Sequence, residues 1–271
     1  MDLSLVVPVR NEAENIEPLV GEIREALDGV CDYEVIYVDD GSDDATPQRL
    51  DGLRRNFTRL RVLHHQTSCG QSTAVLTGVR AARGAWIATL DGDGQNDPAD
   101  IPKLLAARDA AGGDPRVLFA GYRRKRRDTW LKRISSRIAN GVRSRLLQDN
   151  TPDTGCGLKL FARDTFLALP HFDHMHRFLP ALILRAGGRV LSVEVNHRPR
   201  ERGKSKYGLH NRLWVGIVDL FGVMWLRRRQ RLPVVSIVPM GSDSIDPTAA
   251  GEHDAADSIE SDPIGTGSHG D

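Results

Sequence analysis

Residues Ala85–Pro98 read AWIATLDGDGQNDP. Trp86, Ile87, Ala88 and Leu90 make an apolar run interrupted only by Thr89, the pattern of a strand buried on both faces of a parallel sheet. The run stops at Asp91. Asp91, Gly92, Asp93, Gly94 and Gln95 follow just past the strand's carboxyl end, where open α/β sheets bind ligands. Alternate residues of an extended loop project to one side, so Asp91, Asp93 and Gln95 can turn three oxygens toward one hard cation, and the glycines let backbone approach a ligand. An all-oxygen set suits Mg²⁺ or Mn²⁺ and disfavours zinc. The plainer reading is an Asp/Gly turn. The strand before it and Pro98 opening a helix after it favour the metal.

Outward from this stretch, strands and helices alternate. Leu3–Val9 is a first buried strand, followed by a helix with apolar positions at Ile16, Leu19, Val20, Ile23 and Leu27. A second strand, Glu34–Val38, ends in Asp39, Asp40, Gly41 and Ser42. Thr46 before Pro47 predicts a helix N-cap. Leu60–Leu63, Trp86–Leu90, Val117–Ala120, Gly157–Phe161 and Val190–Val195 complete the strands, with helices over 72–82, 101–111, 129–147 and 178–186. The alternation implies βαβ units with right-handed crossovers. Arg198–Tyr207 reads as a basic loop without fixed structure in the absence of a ligand.

Neither G-x-G-x-x-G after the first strand nor a P-loop is present, which weakens dinucleotide and P-loop readings. The carboxylates at the strand ends need another role. Asp39 and Asp40 end the second strand as Asp91 and Asp93 end the fourth, so both pairs belong on one edge, where carboxylates bond ribose or base donors. A capped strand-to-helix turn explains Asp39, Asp40 and Ser42 equally well.

At 271 residues the chain can bury a full core in one domain. Its net charge of +1 conceals an asymmetry: residues 240–271 hold eight acids and no Lys or Arg, which leaves residues 1–239 at about +9. The acidic, Gly/Ser-rich tail reads as disordered. The basic body suits phosphate-bearing molecules or anionic lipid. Nucleic acid is disfavoured, because no aromatic interleaving or reader motif accompanies the charge. Cys31, Cys69 and Cys156 form no CxxC pair and imply a reducing compartment. No signal peptide is expected, since Leu3–Val9 begins a strand with no basic region before it. No apolar run reaches the roughly 20 residues that span a bilayer. Leu213–Leu226 comes nearest: Leu213, Trp214, Ile217, Leu220, Phe221, Met224 and Trp225 share one stripe, Val215, Val218 and Val223 lie opposite, and Arg227, Arg228, Arg229 and Arg231 follow. Tryptophans with a basic end predict a helix in the membrane interface, against the plainer alternative of a helix packed on the domain. His64, His65, His171, His174, His176 and His197 match no zinc spacing and read as ordinary.

Six stretches occur in order: VVPVRNE (Val6–Glu12), VDDGSDDAT (Val38–Thr46), GQSTAVLTG (Gly70–Gly78), LDGDGQNDP (Leu90–Pro98), TGCGLKLF (Thr154–Phe161) and RGKSKYGL (Arg202–Leu209). Together they resemble family-two glycosyltransferases of the GT-A fold, in the polyprenyl-phosphate branch that includes dolichol-phosphate mannosyltransferase. The resemblance implies an α/β architecture, a Rossmann-like and mostly parallel sheet flanked by helices over residues 1–208. An amphipathic juxtamembrane helix over 209–232 and an acidic tail over 233–271 complete the chain. It also implies that Pro8, Glu12, Asp39, Asp40, Asp91, Arg202 and Lys204 bind a nucleotide sugar, that Asp91, Asp93 and Gln95 hold Mg²⁺ or Mn²⁺, and that Arg123 and Arg137 face phosphate. Members of the branch often continue into transmembrane helices, and this chain does not, so a membrane-anchoring partner subunit enters as an expectation.

The implied reaction moves a hexose, with inversion, from a donor of the GDP-mannose or UDP-glucose type to a polyprenyl phosphate at the cytoplasmic membrane face. Such a phosphate is already anionic at neutral pH and needs no base; the site must instead hold two phosphates together, which arginines suit. Asp153 stands in reserve as a base or acceptor-orienting group, with a simple turn residue as its alternative. Two other functions remain open on the sequence: a soluble transferase acting on a carbohydrate or protein hydroxyl, and a non-catalytic membrane-associated binding module.

Overall fold

The structure, a computed structural model, describes residues 1–123, 145–147, 149, 151–196, 198–199 and 209–229, with side chains in the last segment from residue 216 onward. Arg137, Arg202 and Lys204, most of the helix expected over 129–147 and the tail lie outside the described residues.

Seven strands form one sheet: β1 (Leu3–Val9), β2 (Tyr33–Asp39), β3 (Leu60–His64), β4 (Trp86–Thr89), β5 (Val117–Arg123), β6 (Lys159–Ala162) and β7 (Arg189–Val195), in the order β3-β2-β1-β4-β6-β5-β7. Of these, only β6 runs antiparallel to its neighbours. The helices are α1 (Ala13–Leu27), α2 (Thr46–Arg54), α3 (Gln71–Ala81), α4 (Ile101–Ala110), α5 (Arg163–Leu167), α6 (Leu179–Arg185) and α7 (Leu209–Arg229).

The strand order follows from connection handedness. β1, β2 and β3 step one way, and α3 then returns to place β4 on the other flank of β1. Right-handed crossovers therefore put α3 on the face opposite α1. The core divides accordingly. Leu3, Leu5 and Val7 pack with Ile16, Leu19, Ile23 and Leu104 on one face, and Val6, Ile36 and Val38 pack with Val75, Val79, Leu182 and Val223 on the other. The strand order reverses between β1 and β4, and a crevice lies at their carboxyl ends, with α1 and α4 on one face of the sheet and α3 on the other.

Two expectations are corrected. Helix α2 has Ala45, not Thr46, at its N-cap. The Thr46 hydroxyl is drawn away to accept the Glu12 backbone N–H at 3.0 Å, while Asp44 Oδ1 takes the Thr46 N–H at 2.8 Å. The single apolar stripe read on the last helix also divides. Leu220, Val223 and Met224 pack into the second core cluster, whereas Val218, Phe221 and Trp225 are 65%, 63% and 59% exposed. Arg185 Nε fixes the packed face by donating to the Leu226 carbonyl at 2.9 Å. No helix among the described residues is long and apolar enough to cross a membrane.

Candidate active site

The crevice is built from three loops. Those after β1 and β2 are knitted together: Asn11, held at φ 54°, donates its N–H to Ser42 Oγ at 2.8 Å, and its side chain bonds both the backbone N–H and the carboxylate of Asp43. Pro8 stands opposite Val38 in the β1–β2 register. Glu12 Oε2 accepts from Asn15 Nδ2 at 2.6 Å, so its carboxylate lies over the start of α1. Asp39 is nearly buried; it accepts the Ser42 N–H at 3.1 Å and meets His64 Nδ1 at 3.0 Å.

Asp40 is held from several sides. Its two oxygens take His65 Nδ1, Ser68 Oγ and the backbone N–H groups of Cys69 and Gly70, all within 2.9 Å. Burial alone would raise its pKa, but these donors outweigh it and hold the carboxyl below its ordinary value. Asp40 therefore clamps the 67–70 loop with both of its oxygens. Donor atoms of Asp40, His65 and Cys69 lie within 4.8 Å of one another, and Asp40's hydrogen bonds account for that grouping without a cation. His64 and His65 likewise have specific partners.

The third loop follows β4. Asp91–Gly94 is a turn, not the extended segment that alternation assumed: Gly94 adopts φ 73°, and the Asp93 carboxylate folds back to accept the Gln95 N–H at 3.1 Å. Asp91 and Asp93 nonetheless remain electrostatic neighbours. Burial, then the Asp93 charge, pushes the Asp91 pKa up. A buried acid whose ionisation is disfavoured by a second carboxylate beside it fits a divalent ion of the Mg²⁺ or Mn²⁺ kind. Gln95 is held through its backbone carbonyl, which accepts the Arg198 N–H at 3.2 Å. Arg198 in turn reaches Asp97 at 2.6 Å and Glu22 at 2.8 Å, so the first residue of the basic loop is anchored.

Close approach fixes this turn. A Cβ on Gly92 would collide with Val9 and stand 3.3 Å from the Pro8 carbonyl, and one on Gly157 would fall on the Asp91 carboxylate. Gly157 belongs to the loop before β6, which also carries Asp153. Arg123, at the end of β5, grips Asp153 with Nε–Oδ2 at 2.6 Å and Nη2–Oδ1 at 3.0 Å, both side chains less than 10% exposed. Burial works against the Arg123 charge and Asp153 more than restores it. Both oxygens of Asp153 are thus engaged by one guanidinium, which fixes the plane of Arg123 at the end of β5.

Two features carried no signal of their own in the sequence. Lys159, 4% exposed, donates to the Cys156 carbonyl, and burial depresses its pKa although Cys156, Asp91 and Asp153 favour the charge. Gln71 Nε2 donates to Asp91 Oδ1 at 2.8 Å, which brings the start of α3 into the site.

Residues 4–169 match the sequence profile of glycosyl transferase family 2. The chain is 37% identical over 241 residues to a dodecaprenyl-phosphate galacturonate synthase of Rhizobium johnstonii, covering 86% of this chain and 69% of that protein. It is 33% identical over 209 residues to an undecaprenyl-phosphate 4-deoxy-4-formamido-L-arabinose transferase of Edwardsiella ictaluri, covering 76% of this chain and 63% of that one. The chain thus spans about two thirds of the length of these relatives. Glucosyl-3-phosphoglycerate synthase from Mycobacterium tuberculosis, crystallised with Mn²⁺, UDP-glucose and glycerol 3-phosphate, superposes with a TM-score of 0.61 at 18% identity, covering 83% of this chain and 79% of that one. With its carboxylates gathered at the β1/β4 crevice of a GT-A sheet, the chain belongs to glycosyl transferase family 2 and is a glycosyltransferase.

Proposed function

We propose that the protein transfers a sugar from a nucleoside diphosphate donor to a polyprenyl phosphate, inverting the anomeric carbon. The observation that carries this is the pairing of an acidic turn, Asp91–Asp93, with a buried, pre-aimed arginine, Arg123, across one crevice. Both named relatives act on polyprenyl phosphates, and neighbouring structures hold UDP with Mg²⁺ or Mn²⁺. A uridine nucleotide is therefore the first donor to test, with hexoses of the UDP-glucose type ahead of GDP-mannose.

Asp91 and Asp93, with Gln95 beside them, would hold Mg²⁺ or Mn²⁺, which when bound neutralises the departing diphosphate. The remaining work falls to the chain itself. Pro8, Glu12 and Asp39 line the base and ribose side. Arg123 has more donors than one carboxylate engages and presents a fixed plane to phosphate; Arg137, Arg202 and Lys204 supply further positive charge. The acceptor phosphate attacks directly, so no protein base is required.

Membrane contact follows from α7, whose outward Val218, Phe221 and Trp225 precede the exposed Arg228 and Arg229. Aromatic and basic residues so arranged suit an anionic bilayer surface, and we place the enzyme peripherally on the cytoplasmic face, with or without an anchoring subunit. The test is incubation of the purified protein with UDP- and GDP-sugars, Mn²⁺ and polyprenyl phosphate in mixed micelles. A lipid-extractable sugar phosphate supports the reading. Transfer to a soluble acceptor alone, or no turnover with any donor, overturns it.

A further inference from the structure

Hydrogen bonds at one end and a close nitrogen–carboxylate approach at the other link the acidic turn to α7 through one short segment, Asp173–His176. At its near end, the Ser72 hydroxyl meets His176 Nδ1 at 2.7 Å and accepts the His176 N–H at 3.3 Å. Ser72 is 1% exposed, and it sits in the first turn of α3 beside Gln71, whose amide donates to Asp91 Oδ1. Burial, then the nearby Lys159, keeps His176 neutral, so Nδ1 can accept the Ser72 proton. At the far end, His174 adopts φ 62° and places Nδ1 at 3.1 Å from Asp219 Oδ2 on α7. Between them Met175 is buried in the same apolar cluster as Val223. Asp173 also lies against Gly70, where an added Cβ would stand 3.3 Å from its carboxylate.

We propose that Gln71 and His176 are positioning residues for Asp91, and that His174 and Asp219 couple this positioning to the seating of α7. His176 pins Ser72, the pinned turn aims Gln71, and Gln71 sets the direction of one Asp91 oxygen. Loss of any link lets that carboxylate rotate. The coupling needs no long-range strain, since each step is a contact between neighbours. Because α7 also carries the outward Val218, Phe221 and Trp225, a surface that captures that face acts on the acidic turn through the same segment. The inference rests on Asp91 as a metal ligand and concerns residues that do not touch substrate.

The test is Mn²⁺ binding to the full chain, followed by loss of the free Mn²⁺ resonance without donor or turnover. His176→Phe should raise the Mn²⁺ Kd about tenfold, the order expected when a hydrogen bond that orients a charged group is lost. His176→Asn, which retains an acceptor near the position of Nδ1, should restore most of it. Asp219→Ala should raise the Kd about threefold in the native background and add nothing to His176→Phe, because residues in one chain of contacts are non-additive. Gln71→Ala, at an exposed position that does not threaten folding, should behave like His176→Phe. Hydrogen exchange at the Ala74 amide, which donates to the Gly70 carbonyl at 3.0 Å, gives a metal-free readout and should quicken in Asp219→Ala. Unchanged Kd in Gln71→Ala, or strictly additive effects of Asp219→Ala and His176→Phe, overturns the coupling while leaving the metal site intact. Absence of Mn²⁺ binding by the unaltered protein, with Ala74 exchange unchanged in Asp219→Ala, overturns both.

Discussion

Arg123 and Asp153 meet through two parallel contacts, 2.6 and 3.0 Å long, at the buried end of β5. Removing one partner of such a pair leaves the other charge uncompensated, at about 3–5 kcal/mol. Asp153→Asn should therefore lose transfer by at least about tenfold through misplacement of Arg123, with a melting point below that of the native protein. The pH dependence of the residual kcat should keep its native shape. A base would lose its acidic limb on this substitution, so an altered limb in initial-rate assays would return Asp153 to that role.

Gly157 and Asp91 make the second prediction. A methyl group at residue 157 has no space beside the Asp91 carboxylate, and overpacking of this kind costs about 1–3 kcal/mol. Gly157→Ala should stay folded at room temperature yet lose transfer by about a hundredfold, because the displaced carboxylate is the one assigned to the metal. Paired circular dichroism melts and initial rates check this. Full activity in Gly157→Ala would remove Asp91 from the site.

How far the sequence disclosed these contacts differs by kind. Strands write themselves as apolar runs between turns, so all seven were legible, the antiparallel β6 and the more exposed β3 and β7 included, and the turn after β4 was legible from its alternating acids and glycines. Pairings across the sheet were not. His64 reaches Asp39 only because the β2–β3 register sets them side by side, and Ser72 meets His176 across 104 positions. Local spacing contains neither fact. For Asp40 the sequence left two roles open, because a carboxylate at a strand end looks the same whether it faces a ligand or clamps a loop. The faces of α7 were ambiguous for the same reason: apolar residues occur all round it, and only packing on α6 and the 172–178 segment decides which are covered.

Acid stability should report on Asp40. Its folded pKa is depressed, so it contributes stability fully above its unfolded value, about 3.9, and loses that contribution as pH falls through the lower folded value. Asp40→Asn should be less stable than the native chain by about 1.5–3 kcal/mol near neutrality. The gap should close progressively below about pH 4. Melting curves over that range check it, and a gap that is independent of pH would show that the carboxylate charge is not what clamps the loop.

Metal removal gives a prediction independent of acceptor. A donor present at about 100 times its Kd stabilises by about 2.7 kcal/mol, a rise of roughly 5–10 °C for a domain of this size. With Mn²⁺ present, one UDP-sugar should produce such a rise, and EDTA or Asp93→Ala should abolish it without lowering the melting point of the unliganded protein below a few degrees of native.

Membrane capture by the outward face of α7 can be read apart from turnover. Phe221 and Trp225 are more than half exposed, so Phe221→Ser and Trp225→Ser remove little packing and should leave the melting point unchanged. Each aromatic side chain transferred into a bilayer interface contributes about 1.5–3 kcal/mol, and each of Arg228 and Arg229 about 1 kcal/mol beside anionic lipid. Either serine substitution should therefore weaken sedimentation with anionic vesicles about tenfold or more, and raised salt should weaken it further. Transfer to a short, micelle-soluble prenyl phosphate should persist in both variants, since the crevice lies at the β1/β4 ends and not on this helix. If vesicle binding survives both substitutions, the helix face is covered by protein and the membrane is reached through another part of the chain.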